Sequence, residues 1–139
     1  MTDAFDAQAV VVHTDRRGDN LRISADGTRI VAVYDWDSLR PDRDVIALGH
    51  IAAHHSIDWS GPAEPYFANA TECIAFARAV ERVRPEPFTP LEWHAVRAAI
   101  VYGWCYTARC EHALAAVGAD DHRFKMRARL KTDAHLLLS

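Results

Sequence analysis

Lysine is almost missing from this 139-residue chain. Of its 16 basic residues only Lys125 and Lys131 are lysines, and both lie near the C-terminus. The formal net charge is −3, which argues against a nucleic-acid surface or a polybasic membrane anchor. No apolar run approaches the roughly 20 residues that a spanning helix needs. Met1–Ala9 lacks the charged-then-apolar pattern of a signal peptide. Cysteine is scarce: Cys73, Cys105 and Cys110 cannot all pair within the chain. That suits free buried thiols in a reducing, cytoplasmic setting better than a disulfide scaffold. Glycine is scarce too. The six glycines, at 18, 27, 49, 61, 103 and 118, form no glycine-rich phosphate loop. Repeats and low-complexity tracts are absent.

What remains is ordinary globular material, 50% hydrophobic and 25% charged, long enough for one domain over residues 1–139 and hardly for two. The character of the chain changes once, near residue 40. Before it, Ala9–His13, Leu21–Ser24 and Arg29–Tyr34 read as short strands. Ala25-Asp26-Gly27-Thr28 joins the last two, and Asp-Gly between β-branched runs predicts a hairpin, because glycine accepts the positive φ of a primed turn. After residue 40 the pattern is helical. Asp44–His55 is apolar on most faces, and Thr71–Val83 is amphipathic with Asn69 or Thr71 as its cap. Ser56–Phe67, with Gly61, Pro62 and Pro65, reads as a loop. Thr89-Pro90-Leu91-Glu92 predicts a helix start by a capping box with proline at the first helical position. That helix runs to about Ala115, with Gly118 beyond it. A final short helix opens at Asp120 or Asp121, with Phe124, Met126 and Leu130 inward. Strand, loop, hairpin, then helices only: the expected class is α+β with the sheet segregated at the N-terminus.

The polar residues of interest crowd into the strand region. The strand Ala9–His13 delivers His13 and Asp15 into a loop, and Asn20 stands where the next strand begins. Antiparallel pairing across the hairpin returns Asp35 to the same end of the ladder as Asn20. Two carboxylates and one amide oxygen thus converge. Oxygen ligands of this kind, few and partly open, suit Mg²⁺ carrying substrate phosphates.

His13-x-Asp15-x-x-x-x-Asn20, a β-hairpin, then Asp35-Trp36 resembles the catalytic loop and metal-binding aspartate of the aminoglycoside phosphotransferase family. Tyr102-Gly103-Trp104-Cys105-Tyr106 and Arg109-Cys110-Glu111 are similar to its helical C-terminal lobe. The resemblance implies the helical C-lobe of a protein-kinase-like phosphotransferase, with the catalytic loop and hairpin at its N-terminus. It implies an ATP-dependent kinase acting on a hydroxyl of a small molecule, with Asp15 orienting the acceptor and receiving its proton. Asn20 and Asp35 would bind Mg²⁺ and through it the ATP phosphates, His13 would brace the loop, and Asp37 would have a secondary metal or structural role. Asp44 is a counterpart for the aspartate that braces the family's catalytic loop. The family often lines its acceptor pocket with acidic residues, for which Asp58 or Glu111 would serve a cationic aminoglycoside.

The chain departs from the pattern at Thr14, where the family often has glycine, and at Asp19, where a small residue is common. No lysine and no arginine precedes Asp15, so the cation that holds nucleotide phosphates has no upstream source. The expectation is a C-lobe fragment that binds ATP poorly alone, completed by a separate N-lobe or a second copy. The alternative is a catalytically silent module that binds a ligand or partner through the face the missing lobe would cover. His50 and His54, spaced i, i+4, read as polar residues of a partly buried helix rather than zinc ligands. Cys105 and Cys110 read as buried small hydrophobes, Trp93, Trp104 and Tyr106 as core, and Glu81, Glu92 and Glu111 as solvated.

Overall fold

Ala9–His13 forms strand β1, whose β-branched run Val10-Val11-Val12 favours a pleated backbone. The computed structural model describes residues 9–15, 17–57, 66–116 and 126–138. A single 3₁₀ turn, Gly18–Asn20, leads into β2 (Leu21–Ile23), which pairs with β3 (Ile30–Val33) in the register Leu21↔Val33. The hairpin turn is built as its residues dictate. Gly27 has φ 72°, and Asp26 Oδ1 accepts from the Ser24 and Thr28 hydroxyls and from Thr28 N. These bonds hold the Asp26 carboxyl down at about 2.

A second 3₁₀ turn, Trp36–Ser38, opens into a strand that the residue pattern hides, β4 (Leu39–Arg43). It pairs antiparallel with β1, from Ala9↔Arg43 to His13↔Leu39. Leu39-Arg40-Pro41-Asp42-Arg43 has no strand-like alternation. It serves because β4 pairs on one side only, so Pro41 costs no ladder bond that a partner requires. The strand region is therefore two two-stranded sheets, β1–β4 and β2–β3, rather than one sheet followed by helices alone.

Helix α1 (Asp44–His54) follows β4 directly, then come α2 (Ala70–Glu81), α3 (Pro90–Ala116) and α4 (Met126–Leu138). The predicted caps are in place: Asn69 and Glu72 form a capping box on α2, and Thr89 and Glu92 exchange the same bonds on α3. Val45, Ala52 and Ala53 of α1 pack with Cys73 and Ala77 of α2, Val96, Ile100 and Trp104 of α3, and Met126 and Leu137 of α4. Two glycines let α1 and α3 approach closely. A Cβ on Gly49 would lie 2.4 Å from Ala99 Cβ, and one on Gly103 3.0 Å from Ala53 Cβ.

The expected loop residues Gly61, Pro62 and Pro65, and Gly118, Asp120, Asp121 and Phe124 near the last helix, lie outside the described residues, as do Asp58 and Arg16. Among the described residues no helix is long and apolar enough to cross a membrane. Cys73 is buried, and desolvation pushes its thiol up to about 12. Cys105 and Cys110 are exposed, contrary to expectation, because their positions on α3 fall outside the core cluster that holds Ile100 and Trp104. Trp104 is core and Trp93 packs against it, but Tyr106 is 57% exposed.

Candidate functional site

The loop after β1 is tied from both ends. His13 is buried, its Nε2 2.7 Å from the Tyr34 carbonyl and its Nδ1 3.3 Å from Asp15 N. A carbonyl only accepts and a backbone N–H only donates, so the ring carries its hydrogen on Nε2 and accepts at Nδ1. His13 thereby links the end of β1 to the end of β3, with Trp36 edge-on to its ring at 6.0 Å. Thr14 adds a second tie, its N and Oγ1 both donating to Ser38 O at 3.1 and 3.0 Å.

Asn20 joins the loop to the hairpin. Its Nδ2 donates to Asp15 O at 2.8 Å and to Asp15 Oδ2 at 3.1 Å, and its own carbonyl accepts from Tyr34 N at 2.9 Å. Both amide hydrogens are thus committed, while Oδ1 accepts no hydrogen bond among the described residues. Asp35 follows Tyr34 at once. It is the one non-glycine residue with positive φ among the described residues, at φ 65° and ψ 47°. Asp37 lies against its carboxylate, and with the more distant Asp15 it raises the proton affinity of Asp35 above the ordinary carboxylate value.

Arg17 is the residue that motif reading passed over. Its Nε and Nη2 stand 2.8 and 2.9 Å from the two Asp15 oxygens, and Nη1 is 3.5 Å from Asp19 Oδ2. The Nη2 hydrogen bond and the Nε ion pair fix the orientation of the Asp15 carboxylate.

A cavity of about 530 Å³ opens beside Asp15. The loop supplies Thr14, Asp15 and Arg17, β4 supplies Arg40, α1 supplies His50 and His54, and α3 supplies Tyr102, Gly103, Tyr106, Thr107 and Cys110. The α3 positions follow i, i+1, i+4, i+5, i+8, one face of a helix. His54 Nδ1 bonds the His50 carbonyl at 2.9 Å and Nε2 meets Thr107 Oγ1 at 2.9 Å. Burial lowers the proton affinity of both His50 and His54. The i, i+4 histidines and i, i+4 tyrosines were the signal for this wall, visible in the letters but without the partner element that makes it one surface.

Other expected site residues are used elsewhere. Asp44 braces no part of the loop: it accepts from Val45 N and pairs with Arg84 at 2.6 Å. Glu111 is buried, not solvated, and its oxygens accept from Met126 N and Arg127 N at the start of α4. Glu81 takes Phe88 N, Trp93 Nε1 and Arg78, and Glu92 belongs to its capping box.

No group of three or more His, Cys, Asp or Glu side chains among the described residues could hold an ion alone. Asn20 Oδ1, which accepts no hydrogen bond among the described residues, and the Asp35 carboxylate are oxygen donors, the chemistry that Mg²⁺ takes and that a thiolate or imidazole metal does not. Fold and site together define an α+β protein with a carboxylate–carboxamide loop at the mouth of a helix-walled cavity. Compared with known proteins, the chain matches no protein-family model, no curated protein and no solved structure.

Proposed function

We propose that this chain is the C-lobe of a protein-kinase-like phosphotransferase, similar to the aminoglycoside phosphotransferases, acting on a hydroxyl of a small molecule. The observation that carries the reading is the Asn20 side chain bonded to Asp15 while its carbonyl holds the residue before Asp35. It joins Asp15 to Asn20 and ties Asn20 to the residue before Asp35, which supports the reading that these three residues act together as the resemblance implies. The β1–β4 pairing supports it further, since it closes the chain around that constellation.

ATP with Mg²⁺ supplies the phosphoryl group and neutralises the charge on its oxygens. Asp15 accepts the acceptor's proton on a carboxylate oxygen, held in place by Arg17 and Asn20. Asn20 Oδ1 and Asp35 would hold the ion. His13 keeps both halves of the site in register, and Asp37, set against Asp35, would add negative charge beside the ion. The nucleotide-binding lysine and covering loop would come from a separate N-lobe.

Phosphoryl transfer is tested by ADP release and product mass with Mg²⁺–ATP and a panel of hydroxyl compounds. The assay uses this chain alone and joined to any coding sequence in frame upstream of Met1. Asp15→Asn should lower the rate by about 10²–10⁴-fold; a variant that keeps its rate overturns the assignment of the base. With Mn²⁺–ATP, paramagnetic broadening should fall on Asn20, Tyr34 and Asp35, and broadening centred elsewhere removes the metal pair. Micromolar affinity of the chain alone for Mg²⁺–ATP would end the need for a second lobe.

The second reading, a silent binding module, is favoured by one observation. Val11, Ile23, Ile30, Val31 and Trp36 are each more than half exposed on the strand region, apolar area that an associated partner would cover.

A further inference from the structure

The walls of the cavity beside Asp15 have a chemistry of their own. Among the described lining residues there are two cations, Arg17 and Arg40, and one carboxylate, Asp15. Both oxygens of that carboxylate already face the Arg17 guanidinium. Glu111, the residue after Cys110 on the same helix, is spent on the first turn of α4. Burial disfavours the charged form of His50 and His54. An ammonium group entering here meets guanidinium and finds no free carboxylate among these residues.

The same cavity offers rings. Tyr102 and Tyr106 are 63% and 57% exposed on one face of α3, and the His50 ring lies tilted on Tyr102 at 5.4 Å between centroids. Arg40, at the β4 rim, is loosely held, 3.4 Å from Asp42 and half-exposed. A volume of about 530 Å³ is within the range of small-ligand pockets. We propose that this cavity binds an aryl alcohol carrying one carboxylate. The ring packs against Tyr102 and Tyr106, the carboxylate pairs with Arg40, and the hydroxyl faces Asp15. Its role as phosphoryl acceptor rests on the phosphotransferase reading; its place in the cavity does not.

The test is a calorimetric titration of the full chain, without nucleotide or metal, using 4-(hydroxymethyl)benzoate, benzyl alcohol and kanamycin. The benzoate should bind, benzyl alcohol more weakly, and kanamycin most weakly. Arg40→Gln should erase the benzoate's advantage over benzyl alcohol. Tyr102→Ala with Tyr106→Ala should weaken both aryl probes about tenfold, while Phe at both positions retains them, with circular dichroism showing each variant folded. Kanamycin binding tighter than the aryl probes, no aryl binding, or aryl binding indifferent to these substitutions overturns the proposal. Aryl binding by the chain, with no phosphoryl transfer when the chain is joined to an in-frame upstream lobe, overturns the phosphotransferase reading and supports the ligand class. Transfer to kanamycin in preference to the benzoate overturns the ligand class alone.

Discussion

Asp35 carries a backbone conformation that a side chain rarely adopts, at a place where the proposed phosphotransferase site would use a carboxylate. Left-handed φ costs a non-glycine residue about 1–2 kcal/mol, less for Asp because its short side chain bonds locally. Ser38 supplies little of that compensation, with Oγ 3.4 Å from Asp35 Oδ2. Repulsion from Asp37 adds to the cost. Asp35→Gly should therefore raise stability in urea by about 0.5–1 kcal/mol while abolishing the broadening by Mn²⁺–ATP. A loss of stability would show that the turn is held by the carboxylate and stores no strain. At this scale much was legible. His13, Asp15, Asn20 and Asp35 stand out by residue type and spacing, and Asp-Gly marked its turn. Arg17 was not legible, because arginine in a loop looks like solvated charge until both nitrogens are seen on Asp15. Glu111 was hidden for a related reason, since its partners are backbone amides 15 and 16 positions away.

Between elements, the contact that matters most to the cavity is α1 on α3. Helix periods and caps read well from the letters, because Asn69, Thr89 and Pro90 act within a turn of their own position. The partners of a helix do not read in that way. Gly49 looks like a weak spot in an apolar helix, yet a Cβ there would lie 2.6 Å from the Val96 carbonyl and 2.4 Å from Ala99 Cβ. Backbone cannot yield as a side-chain tip can, so Gly49→Ala must push the helices apart. It should cost about 3 kcal/mol in urea unfolding, against about 1 kcal/mol for Gly103→Ala, whose tightest contacts are side-chain atoms of Ala53 and His54 at 3.0 Å. Equal costs would mean that α1 shifts freely on α3. Strand β4 was the element that pattern reading missed, because its residues answer to β1 rather than to a pleat of their own.

Across the whole molecule, the helical core meets β4 and the loop after β1 at the cavity, and His50 and His54 sit at that junction. Burial lowers their proton affinity below the ordinary histidine value of 6.5. Asp42 and Asp15 oppose that effect from β4 and the loop, while Arg40 and Arg17 reinforce it. The unfolded chain, with ordinary histidines, binds more protons than the folded one once the pH drops below about 7. Stability must therefore fall as the pH descends through the unfolded value, and level off only below the folded values. The thermal midpoint should drop between about pH 7.5 and pH 5.5, reversibly, and His50→Gln with His54→Gln should flatten most of that slope. A wild-type midpoint that stays level across the window would mean that both rings are freely hydrated. The cavity wall they form with Tyr102 and Thr107 would then be too open to desolvate a ligand.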